Sequence, residues 1–172
     1  MGLEEDLRGV QTDDIISILE GHVPEGYTFN PMGALTNEHM EYNSAPSLDD
    51  KIHCLVSVLP GDVISIMSQA ILEKMKKVRL KARDLGIPQV IIMTKVDSTC
   101  ELVSKDLKMI YKSRKIKEKM QECSNLLGVP MNCIFPVKNY CEEITTNTNM
   151  DILILTAMNN IVNFANDFVE RQ

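Results

Sequence analysis

The sequence predicts an α/β fold, a three-layer sandwich built on a mainly parallel sheet. Three short apolar runs, at residues 52–59, 89–93 and 131–137, are each followed later in the chain by a longer helical stretch. Continuous apolar runs of this length suit strands covered on both faces, and helices between successive strands imply right-handed parallel crossovers. A length of 172 residues suits a single domain, and 44% hydrophobic against 24% charged residues excludes wholesale disorder.

The elements follow in order. Residues 12–20 form a short helix, capped by Thr12 or Asp13, with acids in its first turn and Gly21 at its end. Residues 21–50 lack periodicity and carry Pro24, Gly26, Pro31, Gly33 and Pro46, so they form a long loop of the functional or mobile kind. The run at 52–59 is a strand closed by Pro60-Gly61. In the helix that follows, Met67, Ile71, Met75 (or Lys74), Val78, Ala82 and Leu85 make one stripe, Gly86 and Pro88 stop it, and lysines and arginines fill the other face. Residues 89–93 are the second strand, ending in Thr94-Lys95-Val96-Asp97. Residues 101–127 read as one or two helices with a basic face, ended by Gly128-Val129-Pro130. Residues 131–137 are the third strand, and 150–170 close the chain as a helix with Ile154, Met158, Ile161, Ala165 and Phe168 in line. Three parallel strands make a thin sheet, and the fold looks incomplete at its N-terminal end.

The net charge of −6 hides a strong asymmetry. Residues 1–50 hold one cation and eleven acids, residues 51–119 fifteen cations and seven acids, and residues 120–172 two cations and six acids. The basic centre either meets an anionic partner or is screened by the acidic ends. Its helices have only Tyr111 as an aromatic neighbour, which argues against a nucleic-acid platform. Five cysteines without a CxxC pair, and three scattered histidines, point to a reduced compartment and to no metal site. The absence of a signal-like start or of an unbroken apolar run of about 18 residues predicts a soluble intracellular chain with no membrane span.

In open α/β sheets, ligands bind where the strands end at their carboxyl ends. Three loops qualify: Pro60-Gly61-Asp62, Thr94-Lys95-Val96-Asp97 and Val137-Lys138-Asn139. The second resembles the [Asn/Thr]-Lys-x-Asp element with which P-loop GTPases read guanine. A carboxylate there accepts from N1–H and the N2 amino group of guanine, and adenine offers no such donor pair. The Lys stem lies over the base or sugar, and the Thr ties the loop to its neighbours. Lys138 stands where a GTPase carries its Ser-Ala-Lys loop, one strand–helix unit later. The candidate base-binding residues are therefore Thr94, Lys95, Asp97 and Lys138.

Four blocks resemble the interferon-induced protein 44-like family of vertebrates. They are residues 47–54 (SLDDKIHC), 94–97 (TKVD), 132–140 (NCIFPVKNY) and 163–168 (NFANDF). The resemblance covers essentially the whole chain and implies cytoplasmic, interferon-inducible proteins of the antiviral and innate immune response with a GTPase-like domain. It also implies that Met1-Gly2-Leu3-Glu4 corresponds to part of the Asp-x-x-Gly switch element, with Gly2 as a remnant of the phosphate sensor. On that reading the chain is the C-terminal portion of a P-loop GTPase-like fold. It would be a single partial domain over 1–172, with the switch remnant and short helix at 1–20, the loop at 21–50 and an α/β core at 51–172. It would be either a natural short form or an incomplete gene model, and GTP or GDP with Mg²⁺ would be cofactors only of a longer form.

The only GxxxxG spacing, Gly21 to Gly26, is followed by Tyr27 where a phosphate loop needs Lys, and Pro24 removes a backbone donor. Ser57, Ser65 and Ser68 lack His–Asp partners and a Gly-x-Ser-x-Gly elbow, so no catalytic residue is assigned. Two functions remain. One is an immune-response protein with a degenerate GTPase-like domain that binds guanine nucleotide feebly through Thr-Lys-Val-Asp. The other is a non-catalytic protein-interaction module, with protein partners and a vestigial nucleotide loop.

Overall fold

The computed structural model describes residues 2–5 and 9–172. The protein is mixed α/β, with three parallel strands in the order β1-β2-β3 and six α-helices among the described residues. The strands are β1 (Leu55–Pro60), β2 (Gln89–Thr94) and β3 (Ile134–Pro136). The helices are α1 (Thr12–Glu20), α2 (Gln69–Asp84), α3 (Val96–Thr99), α4 (Glu101–Lys105), α5 (Arg114–Leu127) and α6 (Thr148–Val169). Two compact units contain them: residues 1–55 with 68–88, and residues 56–67 with 89–172.

In the first unit, α1 and α2 are neighbours, and the basic face of α2 meets the acids of α1. Lys77 pairs with Asp13 and Lys81 with Glu20, both at 2.6 Å, so part of the basic block is screened by the acidic N-terminal stretch. The first pair is largely exposed and the second about a third exposed, and each contributes at most about 1 kcal/mol. The apolar core here is Leu19, Leu35, Leu72, Val78, Ala82 and Ile87. The long loop is tied down by polar contacts. The Leu35 amide donates to the buried Asp14 carboxylate at 2.7 Å, the Gln11 amide to the Pro31 carbonyl at 2.7 Å, and the Asn43 amide to the His22 carbonyl at 2.9 Å. His22 also stacks on Tyr42 with ring centroids 4.6 Å apart.

In the second unit, β2 and β3 pair in parallel with Ile91 opposite Ile134 and Met93 opposite Pro136. Pro136 is tolerated because it stands at the end of its strand. Both α5 and α6 contact β3. Val90, Ile91, Met93, Val96, Val103, Ile116, Cys123, Ile134 and Met150 form a nearly solvent-free core. Burial and the neighbouring Glu122 charge push the Cys123 thiol up to about 11, so it is a packing group.

Several elements depart from the sequence reading for local reasons. Neither Thr12 nor Asp13 caps α1; both lie inside it, and extended Gln11 precedes it without a side-chain cap. Gly21 does end α1, in the left-handed conformation at φ 85°. The first strand begins at Leu55 rather than residue 52, and it is not covered on both faces, since Val58 is 60% exposed. The stripe of α2 is centred on Leu72, Val78 and Ala82, which shifts the buried face away from Met75. Of the one or two helices expected over 101–127 the structure has two, because extended Asp106 ends α4 and Ser113 starts α5 by accepting from the Ile116 amide. The third run opens with a 3₁₀ turn at Met131–Cys133, which leaves a strand of three residues.

The closing helix α6 is 22 residues long with a windowed mean hydropathy of 1.2, long and apolar enough to cross a membrane by length and composition alone. Asn159, Asn160, Asn163 and Asn166 lie within this apolar sequence. Its buried stripe is Met150, Ala157 and Phe168, while Ile152, Leu155, Met158 and Val162 are about half exposed.

Candidate functional site

The carboxyl ends of the three strands meet at one edge of the sheet because hydrogen bonds continue past the strands themselves. The Gly61 amide donates to the Thr94 carbonyl at 2.8 Å, and the Val137 amide donates to the Met93 carbonyl at 2.8 Å. A cleft of about 420 Å³ opens there, lined by Asp62, Thr94, Lys95, Asp97, Ser98, Asn139, Tyr140 and Cys141.

Lys95 turns the chain between β2 and α3 with φ 55° and ψ 38°. It is the one residue other than glycine with positive φ among those described. A left-handed residue with a Cβ is disfavoured by about 1–2 kcal/mol, so the surroundings must hold it. The Lys95 carbonyl accepts from the Thr99 amide at 3.0 Å and from the Thr99 hydroxyl at 2.8 Å. This turn leaves Lys95 exposed and Asp97 half-buried. Among the described residues, the Asp97 carboxylate makes no hydrogen bond or ion pair, so its lone pairs remain for a ligand.

Lys138 is placed differently. It pairs with Glu143 at 2.5 Å, with both side chains about a quarter exposed. The hydrogen bond that Lys138 donates to Glu143 raises the Lys138 pKa, and the Glu143 and Asp97 charges add to it. Glu143 falls to about 2, first through the Lys138 hydrogen bond and then through backbone donors that include the Cys141 and Glu142 amides. Tyr140 completes the latch: its hydroxyl donates to Asp151 at 2.6 Å and accepts from the Asn147 amide at 2.5 Å. Lys138 is thus an electrostatic neighbour of Asp97 that holds the loop through Glu143, and it does not line the cleft.

Thr94, Lys95 and Asp97 therefore come together in one cleft, with Lys138 beside it. Gly2 belongs to the other compact unit, where its carbonyl accepts from the Val10 amide at 3.0 Å; Met1 of the switch segment lies outside the described residues. Gly21 is a helix cap, so the GxxxxG spacing at 21–26 does not form a phosphate loop after a strand. Asp62 and Asn139 belong to the strand-end loops singled out in the sequence, though without an assigned role, whereas Ser98, Tyr140 and Cys141 were missed as lining residues. Their positions just after the strand ends were the available signal. No group of three His, Cys, Asp or Glu residues among those described could hold a metal ion. A carboxylate with free acceptors, flanked by cations, hydroxyls and an amide, can bind a ligand through paired N–H donors.

The chain is similar over nearly all its length to a group of interferon-induced proteins. It is 34% identical over 170 residues to interferon-induced protein 44 of Homo sapiens, covering 99% of this chain and 38% of that protein. The Mus musculus protein of the same name is also 34% identical over 170 residues, with 40% of its length covered. Interferon-induced protein 44-like of Homo sapiens is 33% identical over 162 residues, which is 94% of this chain and 36% of the relative. The family resemblance carried by the four sequence blocks is thus found along the chain, which spans about two fifths of the length of these relatives. No family model matches the chain, and no solved structure does.

Proposed function

We propose that this chain, similar throughout to part of the interferon-induced protein 44 group, is an interferon-inducible protein of the cytoplasmic immune response that binds guanine nucleotide weakly without hydrolysing it. The similarity supports the interferon-induced role. The observation that supports base reading is the Thr94-Lys95-Val96-Asp97 turn, which presents at the cleft where the strands end a carboxylate with no hydrogen bond or ion pair among the described residues. The Asp97 oxygens accept from N1–H and the N2 amino group of guanine, Lys95 covers the base or sugar, and the latched loop at 138–143 walls the site.

The order of elements agrees with the C-terminal portion of a P-loop GTPase-like fold, and we take the chain as a single partial domain of that kind. The residues present do not fit a phosphate or Mg²⁺ site: Gly21 caps a helix, Tyr27 stands where Lys is needed, and no metal-ligating cluster forms among the described residues. No hydrolytic step is assigned to them. Binding of the base alone is feeble because the phosphate contacts that dominate nucleotide affinity are missing.

Calorimetric titration with GDP and ADP tests this. The wild-type protein binds GDP more tightly than ADP, and Asp97→Ala weakens GDP about ten- to hundredfold, the worth of charge-assisted hydrogen bonds. Equal heats with GDP and ADP, or none at millimolar concentration, would sink the reading.

A second reading, a non-catalytic protein-interaction module, rests on a different observation. Ile152, Leu155, Met158 and Val162 on α6 are exposed, and Val58, Ile92 and Val137 line a groove beside Ile154, Ala157 and Met158. A guanine-independent complex abolished by Leu155→Lys, and untouched by Asp97→Ala, would favour it.

A further inference from the structure

We infer that Gly61 and Thr99 are positioning residues for the guanine-reading carboxylate, acting through the left-handed turn at Lys95; the inference rests on the base-binding reading above. Neither residue needs to touch the ligand. Thr99 is 4% exposed and sits at the last position of α3, with its hydroxyl turned back onto the Lys95 carbonyl. Gly61 is buried at the end of β1 and donates its amide to the Thr94 carbonyl, the residue immediately before Lys95. The two peptide carbonyls on either side of the Lys95 Cα, those of Thr94 and Lys95, are therefore each held by a partner, one by Gly61 and one by Thr99.

The fit is close. A Cβ added at Gly61 would lie 2.7 Å from the Thr99 Oγ1, 3.4 Å from the Met93 Cγ and 3.5 Å from the Thr94 carbonyl oxygen. The first distance is well inside van der Waals contact, so a side chain at 61 would displace the hydroxyl that holds Lys95. Met93 has no exposed surface and cannot move aside freely. A left-handed non-glycine residue relaxes when its restraints are removed. Because Asp97 lies two residues beyond Lys95, rotation there swings its carboxylate off the line needed for two parallel hydrogen bonds. A bidentate contact is more sensitive to such a swing than a single one. The feature that suffers is thus discrimination between purines that offer two donors and those that offer one.

Hypoxanthine has the N1–H donor of guanine and lacks its N2 amino group, so the ratio of GDP to IDP affinity reads the second hydrogen bond directly. The wild-type ratio is expected near tenfold, the value of one charge-assisted hydrogen bond. Thr99→Val keeps the volume and removes the donor, and it should bring the ratio close to one. Thr99→Ser restores the hydroxyl and should restore the ratio. Gly61→Ala should lower the ratio as Thr99→Val does. A general loss of folded protein would lower the binding stoichiometry for both nucleotides and leave their ratio alone. The Lys95 Cα chemical shift in the ligand-free protein gives a second readout, moving away from its left-handed value in Thr99→Val and Gly61→Ala and returning in Thr99→Ser. A wild-type ratio retained by Thr99→Val, or an unmoved Lys95 shift, would overturn the positioning role while leaving the base site standing. Wild-type protein that binds no guanine nucleotide would instead remove the base site, and this role with it.

Discussion

Glu143 illustrates how a single residue can set the shape of the candidate site from outside it. Its carboxylate is lowered to about 2 by the Lys138 hydrogen bond and by backbone donors from the same loop. A carboxylate whose folded pKa is depressed contributes stability that is complete above its ordinary value near 4.5 and lost as the pH falls through about 2. The loop at 138–143 should therefore stay latched at pH 4, where an ordinary glutamate is already mostly protonated. Carbon-detected titration of the Glu143 carboxyl checks this: a midpoint near 2 in the wild type, moving back towards 4.5 in Lys138→Ala. A wild-type midpoint near 4.5 would mean that the pair does not hold in solution. The Lys138–Glu143 pairing was not legible in the sequence, which shows a cation and an acid five residues apart without the fold of the loop that joins them. Thr94, Lys95 and Asp97 were legible, because a strand end fixes where such residues stand. The left-handed Lys95 was not, since Lys carries no local preference for positive φ.

Among the elements, α1 and the long loop after it show the same division. The loop was readable as irregular from its prolines and glycines, and Gly21 marked the end of α1. The ties that fix it join residues about twenty positions apart, a separation at which periodicity carries no information. Asp14 is the chief of these: it is fully buried, its Oδ1 accepts from the Leu35 amide, and its Oδ2 has no hydrogen-bond partner among the described residues. Asp14→Ala strands a buried amide, which costs about 1–3 kcal/mol. Hydrogen exchange at Leu35 should accelerate by tenfold or more, and a urea midpoint should fall with it; unchanged exchange would show that the loop is held by other contacts. The stretch at 101–127 was read as one or two helices and is two, α4 and α5; the break itself, at Asp106 and Ser113, was not located by the sequence. Strand existence was read correctly in all three cases, whereas the exposed Val58 was not foreseen. An apolar run reports its own composition, and whether anything covers it depends on the rest of the fold.

For the molecule as a whole, the −6 charge and the basic centre take on physical form in the ion pairs Lys77–Asp13 and Lys81–Glu20 within one compact unit, and Arg114–Glu118 and Lys119–Glu122 within the other. Part of the basic centre is thus paired with acids. The chain spans about two fifths of its interferon-induced relatives, and the candidate cleft draws all its lining from residues of one compact unit, between 62 and 141. We propose that Asp97 reads the guanine edge there. Asp97→Asn tests it most directly, because the amide exchanges one acceptor for a donor and xanthine carries a carbonyl where guanine carries its amino group. Calorimetry of the wild type and Asp97→Asn with GDP and XDP should show the preference reversed, from GDP in the wild type to XDP in the variant. Binding of neither nucleotide by the wild type, or the same order of preference in both proteins, would contradict the account.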